Sequence, residues 1–311
     1  MTTALICHDD CLYHVTPPGH PEQVARLQEI GHALAASEFD PLRRVDAPLG
    51  QDRDILRCHP GDYLTRVAAA IPASSNASLD ADTHLSPGSL IAARRAVGGN
   101  IAAVDLVLSG DVQNAFVACR PPGHHAETAT AMGFCLFGSV SIAAKYALDH
   151  HGLERVAVVD FDVHHGNGTQ DLLWNEPRTL FCSSHQMPLY PGSGAAHETG
   201  AFGNVMNTPL DPGSDGRVMR DVYDLTIFPA IAAFKPQLIL VSAGFDAHRA
   251  DPLANLNWDT EDFSWLTRRI CDLADIHCDG RVVSTLEGGY DLNALAESAA
   301  AHVRILMERG Q

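Results

Sequence analysis

Short apolar runs recur along the chain at residues 4–7, 115–119, 156–160, 179–183, 238–242 and 282–285. Each is too short for a helix and is bounded by polar or glycine-rich turns, the pattern of a strand buried on both faces. Longer stretches with apolar residues at helical spacing alternate with them. Residues 89–107, 139–150 and 217–234 read as helices, the second with Gly152 just beyond it and the third stopped by Lys235-Pro236. Pro229 lies inside the third and predicts a kink or a restart. A last helix, 292–308, has Asp291 placed as its N-cap and Gly310 at C′. Strands alternating with helices predict an α/β fold with a mostly parallel central sheet and helices on both faces. The Ala/Ser-rich segment 72–82 reads as a surface loop. No composition break or internal repeat follows it, so residues 1–311 are expected to form one domain.

The polar motifs collect where the apolar runs end. Residues 115–119 lead into Arg120-Pro121-Pro122-Gly123-His124-His125, and 156–160 into Asp162 and His164. Residues 238–242 lead into Gly244-Phe245-Asp246, and 282–285 into Glu287-Gly288-Gly289-Tyr290. In an open α/β sheet the ligand sits beyond the carboxyl ends of the strands. Four such loops are therefore expected to meet in one cleft.

Composition narrows the classes. With 38 acidic against 21 basic residues the net charge is −17, which argues against a nucleic-acid partner and suits cationic or lysine-bearing substrates. The eight cysteines show no CxxC pair, and Cys119 and Cys182 sit in apolar runs, as reduced cysteines do. The N-terminus lacks the basic and apolar regions of a signal peptide, and no apolar run approaches the length of a membrane span. A soluble, cytoplasmic protein without a membrane partner is expected, with self-association into a homo-oligomer left open.

The densest chemistry is Val159-Asp160-Phe161-Asp162-Val163-His164-His165-Gly166. On a strand, residues i, i+2 and i+4 face one side at about 6.6 Å per step. Asp162 and His164 are then close enough to share a metal ion, while Asp160 is a step too far and orients a neighbour instead. Asp246, after a strand and a glycine, can supply a third ligand, although alone it reads equally well as a helix N-cap. Two carboxylates and one imidazole leave a coordination position open, as catalytic sites do. The set is harder than usual zinc ligation, so Fe2+ or Co2+ competes with Zn2+. The adjacent His124 and His125 cannot comfortably both be protonated. Asp160 is assigned to His124, keeping it cationic, and Asn167 to His125, keeping it neutral and able to act as general base. Tyr290, freed by two glycines, can aim its phenol at a developing oxyanion. Together these parts suit metal-assisted amide hydrolysis.

The motifs RPPGHH, GFC, VDFDVHHGNGTQ, SAGFDAHRADPL and LEGGY resemble the histone deacetylase and acetylpolyamine amidohydrolase family, from PPGHPEQVARL near the N-terminus to the last helix. The resemblance implies an arginase-like α/β fold with about eight strands and hydrolysis of N-acetyl amides with Zn2+. By position, Asp162, His164 and Asp246 would hold the metal, and His124, His125 and Tyr290 would do the chemistry. Asn167, where class I members carry Asp, resembles the class II branch. Family members also bind structural K+, for which Asp160, Asp162, His164, Ser183 and Ser184 would supply oxygens, several from the backbone. Gly133, Phe134 and Tyr190 would grip the aliphatic arm of a lysine, and Asp82 would anchor a substrate backbone. Leu253 replaces the acidic gatekeeper of polyamine-selective relatives. The expected substrate is an acyl-lysine protein or peptide. The alternatives are an acetylpolyamine or other small acyl amine, and a catalytically silent acetyl-lysine binder. His8, Asp9, Asp10, His14 and His20 are read as loop and capping residues rather than as part of the rim.

Overall fold

The apolar runs pair side by side, all in one direction. The computed structural model describes residues 2–310. Its first half comprises β1 (Thr3–Cys7), α1 (Ala25–Ala33), β2 (Arg43–Asp46), α2 (Asp52–Ile55), α3 (Gly61–Ala69), β3 (Ala77–Ser78), β4 (His84–Leu85), α4 (Ser89–Leu108), β5 (Asn114–Val117) and α5 (Ser139–Asp149). There follow β6 (Val156–Asp160), α6 (Asn167–Leu173), β7 (Thr179–Gln186), β8 (Val205–Leu210), α7 (Gly216–Val222), α8 (Phe228–Phe234), β9 (Leu238–Ala243), α9 (Thr260–His277), β10 (Val282–Leu286) and α10 (Leu292–Arg309). One eight-stranded sheet runs in the order β2-β1-β5-β10-β9-β6-β7-β8, and every neighbouring pair is parallel.

Alternate strand residues feed two cores. Leu5, Phe116, Val159 and Val241 pack with α1, α8, α9 and α10 on one face, while Ile6, Val117, Val158 and Leu240 pack with α4 and α5 on the other. Each such side chain, fully buried, contributes about 1.5–3 kcal/mol. The strands that root the polar loops are therefore held from both sides. Because all strands point one way, the carboxyl ends of β5, β6, β9 and β10 share a single rim.

Several expectations need correction. The strand at 156–160 ends at Asp160, so Asp162 and His164 lie in the following loop, not on the strand. Asp160 Oδ1 accepts from the Asp162 N–H at 3.1 Å, and Asp162 Oδ1 from the His164 N–H at 2.9 Å. Two successive side-chain turns of this kind compete with the ladder and peel the chain off the sheet. The helix over 217–234 restarts where Pro229 predicts, breaking into α7, a π turn at Tyr223–Ile227 and α8. Pro229 offers no N–H to the preceding turn, and the Phe228 N–H reaches back five residues to Tyr223 O. Asp291 does cap α10, accepting from the Ala294 N–H at 2.9 Å. Gly310 closes that helix at φ −85°, without the left-handed turn expected. Segment 72–82 is not wholly loop, since Ala77-Ser78 pairs with His84-Leu85 in a small antiparallel hairpin. The eight cysteines are all free, and no helix among the described residues is long and apolar enough to cross a membrane.

Candidate active site

Four loops converge beyond the shared rim, and hydrogen bonds tie them together. Glu287, at the end of β10, accepts from the Gly123 N–H at 2.7 Å and the His124 N–H at 3.1 Å. The Val163 N–H donates to Asp246 Oδ1 at 2.9 Å, and the Gly288 N–H to Asp162 Oδ2 at 2.7 Å. Glycine is required at two positions packed against these carboxylates. A Cβ on Gly244 would overlap the Asp162 carboxylate, and one on Gly288 would overlap that of Asp246.

Asp162, His164 and Asp246 form a buried group with ligand atoms within 4.8 Å of one another. His164 Nδ1 lies 3.1 Å from Asp162 Oδ1 and 3.1 Å from Asp246 Oδ2. Burial penalises all three charges. It raises the Asp246 pKa, aided by the neighbouring Asp162 charge. For His164 burial is outweighed by hydrogen bonds to Asp162 and Asp246, and the pKa is pushed up to about 10. Two desolvated carboxylates thus draw whatever positive charge they can reach, and the donor set fits a divalent cation.

The two histidines differ in partner and in charge, although their ring centroids are only 4.0 Å apart. His124 Nδ1 lies 3.0 Å from Asp160 Oδ2, and its Nε2 is 3.8 Å from Asp162 Oδ2. Against burial, the Asp162 and Asp160 carboxylates hold its pKa well above the usual value. His125 Nδ1 lies 2.7 Å from Asn167 Oδ1. Asn167 Nδ2 donates to Glu127 Oε1 at 2.8 Å, which turns the amide oxygen toward the imidazole. Burial, with the His124 and His164 charges, holds the His125 pKa well below normal.

Tyr290 is 9% exposed, and its N–H donates to Asp251 Oδ2 at 2.7 Å. Gly289, at φ +120°, makes the turn that brings it in. Burial and the Asp246 charge keep the phenol protonated, and so a donor. A cavity of about 230 Å³ opens here, lined by His125, His164 and Tyr290 together with Asp82, Gly133, Phe134, Tyr190 and Leu253. Leu189 lines it too, a residue the sequence did not single out. Gly133 takes φ +54° against the His125 ring, where a Cβ would clash. His20 is also at this rim: its Nε2 is 3.0 Å from Asp82 O and its ring meets Phe134 edge-on at 4.8 Å. His8 caps a short 3₁₀ turn, Asp10 pairs with Arg95 at 2.7 Å, and His14 is buried against Ser89 and Glu22. Ser183 pairs with Asp160 across β6 and β7; its hydroxyl meets His185, and that of Ser184 meets Tyr223 at 2.8 Å. A second cavity, about 260 Å³ around Leu5, Leu27 and Arg44, has no comparable cluster, so size alone does not locate the site.

Three supporting residues escaped the sequence reading: Glu287, Arg26 and Asp251. Arg26 is fully buried and donates to the carbonyls of Glu287, at 2.5 Å, and Gly289, at 2.6 Å. It steadies the Tyr290 loop from a helix far away in sequence. Its one visible signal is register, because Arg26 and Ile30 share the buried face of α1.

Comparison with known proteins agrees with this geometry. The histone deacetylase domain profile matches residues 20–306. An uncharacterized protein of Synechocystis is 44% identical over 98% of this chain and 99% of its own length. The histone deacetylase-like amidohydrolase of Pseudomonas aeruginosa is 38% identical over 93% of this chain and 81% of its own. The crystal structure of the HDA15 HD domain superposes with a TM-score of 0.94 at 32% identity, covering 99% of this chain and 88% of that one. The chain belongs to the histone deacetylase family and is a deacetylase-type amidohydrolase.

Proposed function

We propose that the protein is a Zn2+-dependent deacetylase, residues 1–311 acting as one catalytic unit, that hydrolyses N-acyl-lysine side chains or related amides. One observation carries the reading: His164 Nδ1 faces both Asp162 and Asp246 on the wall of a cavity also lined by His125 and Tyr290. Asp162, His164 and Asp246 would hold the ion, with Fe2+ or Co2+ as competing occupants of this oxygen-rich set. When bound, the metal acts as a Lewis acid toward the acyl oxygen and lowers the pKa of water. His125 commits its Nδ1–H to Asn167, which leaves the Nε2 lone pair free to take a proton from the attacking water. The same nitrogen then returns that proton to the departing amine. His124, kept cationic by Asp160, suppresses premature protonation of His125 through its charge. Tyr290 donates its phenol hydrogen to the acyl oxygen as negative charge develops there.

Phe134 and Tyr190 flank the cavity as walls for an aliphatic arm, and Asp82 stands at the mouth for a substrate backbone N–H. Leu253 offers no charge to a distant ammonium, which favours acyl-lysine over acylpolyamine. Structural K+ is proposed where β6 and β7 end, at oxygens of Asp160, Asp162, His164, Ser183 and Ser184; the register pairing of Asp160 with Ser183 supports it. Asn167 supports a class II-like enzyme, and a cytoplasmic location fits the eight free cysteines.

The expected outcome is acetate release from an acetyl-lysine peptide, lost on chelation and restored by Zn2+. Tyr290→Phe should reduce kcat by about 10²–10³-fold with the fold intact. Full turnover in a preparation shown to be metal-free would sink the reading. Acetylputrescine or acetylspermidine turned over faster than the peptide would reassign the substrate.

A further inference from the structure

We propose that Asp105, His150 and His151 form a second metal site, on the surface, which takes a divalent transition ion such as Zn2+ and clips α4 to the end of α5. Asp105 lies in α4, His150 caps α5 and His151 follows it. Their ligand atoms lie within 4.8 Å of one another. Two imidazoles and one carboxylate, with water in the remaining positions, are a standard set for such ions.

The group is already arranged. His151 Nε2 lies 2.7 Å from Asp105 Oδ1, and the Tyr146 hydroxyl donates to that same oxygen at 2.9 Å. The Tyr146 ring stacks on His150, centroids 4.7 Å apart and 15° from parallel. A hydrogen bond to a ligating carboxylate orients it in metal sites, and here the stacking fixes the plane of the His150 ring. Donor atoms on a tetrahedral ion stand about 3.4 Å apart. Replacing the proton between His151 and Asp105 by a metal therefore asks for an opening of about 0.7 Å. Side chains that are 25% and 47% exposed can supply that. An ordinary surface ion pair would need only His151 and Asp105; here His150, held by its stacking on Tyr146, brings a third donor atom within 4.8 Å of both.

Electrostatics favours a cation at this place. The carbonyl end of α5 carries the negative pole of its helix dipole. Arg57, over the Tyr146 ring at 5.2 Å, is answered by Asp149 at 3.5 Å. The site is separate from the one described above. It lies where α5 hands over to the amino end of β6, while the acyl-amide cleft lies beyond the carboxyl ends of the strands.

The test is calorimetric titration of Zn2+ into enzyme whose buried site is already loaded. A second, weaker equivalent is expected, absent from Asp105→Asn and from His151→Ala. Both variants should keep wild-type kcat/KM and circular dichroism. At Zn2+ a hundredfold above its Kd the wild-type thermal midpoint should rise by roughly 5 °C, and those of the variants should not. No second equivalent, or one undiminished in both variants, would overturn the proposal. So would loss of binding and turnover together, which would assign the ion to the buried site. The result is read by difference between variants, so it stands or falls separately from the catalytic reading.

Discussion

Two groups of one carboxyl-rich and imidazole-bearing kind sit at opposite rims of the same sheet, and they differ chiefly in burial. Asp162, His164 and Asp246 are buried at the base of the cleft, and hydrogen bonds to the two carboxylates push the His164 pKa up to about 10. Asp105, His150 and His151 are half open to solvent, with water to screen each charge. A buried cluster must be satisfied by a partner or destabilise the fold, whereas an exposed one can wait for a ligand. Residue types alone therefore do not set what such a group does; the surrounding dielectric does.

The sharpest challenge to that contrast is a matched pair of substitutions. Asp246→Asn should abolish turnover of an acetyl-lysine peptide, and Asp105→Asn should leave it within twofold. Equal losses in the two steady-state assays would erase the distinction.

A buried histidine without carboxylates isolates what burial does by itself. The His302 ring nitrogens meet the hydroxyls of Thr267 and Ser284, its ring packs among Phe116, Phe161 and Phe245, and burial lowers its pKa to about 3. The unfolded chain takes up this proton near pH 6.5, but the native state does not until far lower pH. Its contribution to stability is thus complete above about pH 6.5 and falls as pH drops toward 3. At pH 5 the loss is ~2 kcal/mol. Thermal midpoints measured from pH 7.5 to 5 should fall less steeply in His302→Gln.

A smaller effect is expected where only the partner's charge changes. Asn167→Asp places a carboxylate against His125 and should raise its pKa. A base with a raised pKa is freed of its proton only at higher pH, so the acid limb of kcat/KM should move upward. An unmoved limb would remove His125 as the base.

How much of this was legible beforehand follows from the same physics. The six interior strands announced themselves because both of their faces are buried, so each carries a run of consecutive apolar residues. The two strands of the main sheet that were missed, β2 and β8, are its edges. β2 reads Arg-Arg-Val-Asp and β8 contains Pro209, the charged and proline-bearing sequences that edge strands use to discourage further pairing. Asp162, His164 and Asp246 were readable because each follows a strand and sits beside glycines. Their exact placement was not, since nothing local says that Asp160 would turn the chain out of the ladder. Glu287, Arg26 and Asp251 were not readable because each acts on backbone groups supplied by other segments. Arg26 and the Gly289 carbonyl it holds lie 263 residues apart.

The uniform strand direction has a practical corollary for rearranging the chain. The Thr3 hydroxyl donates to the Leu306 carbonyl at 3.1 Å, so the first strand and last helix meet on the rim away from the cleft. Gly110 and Gly152 lie in exposed turns on that same rim, before β5 and β6, both at positive φ. Joining the two termini and reopening the chain at either glycine would reorder the elements while leaving all four cleft loops uncut, a circular permutation that the parallel sheet permits.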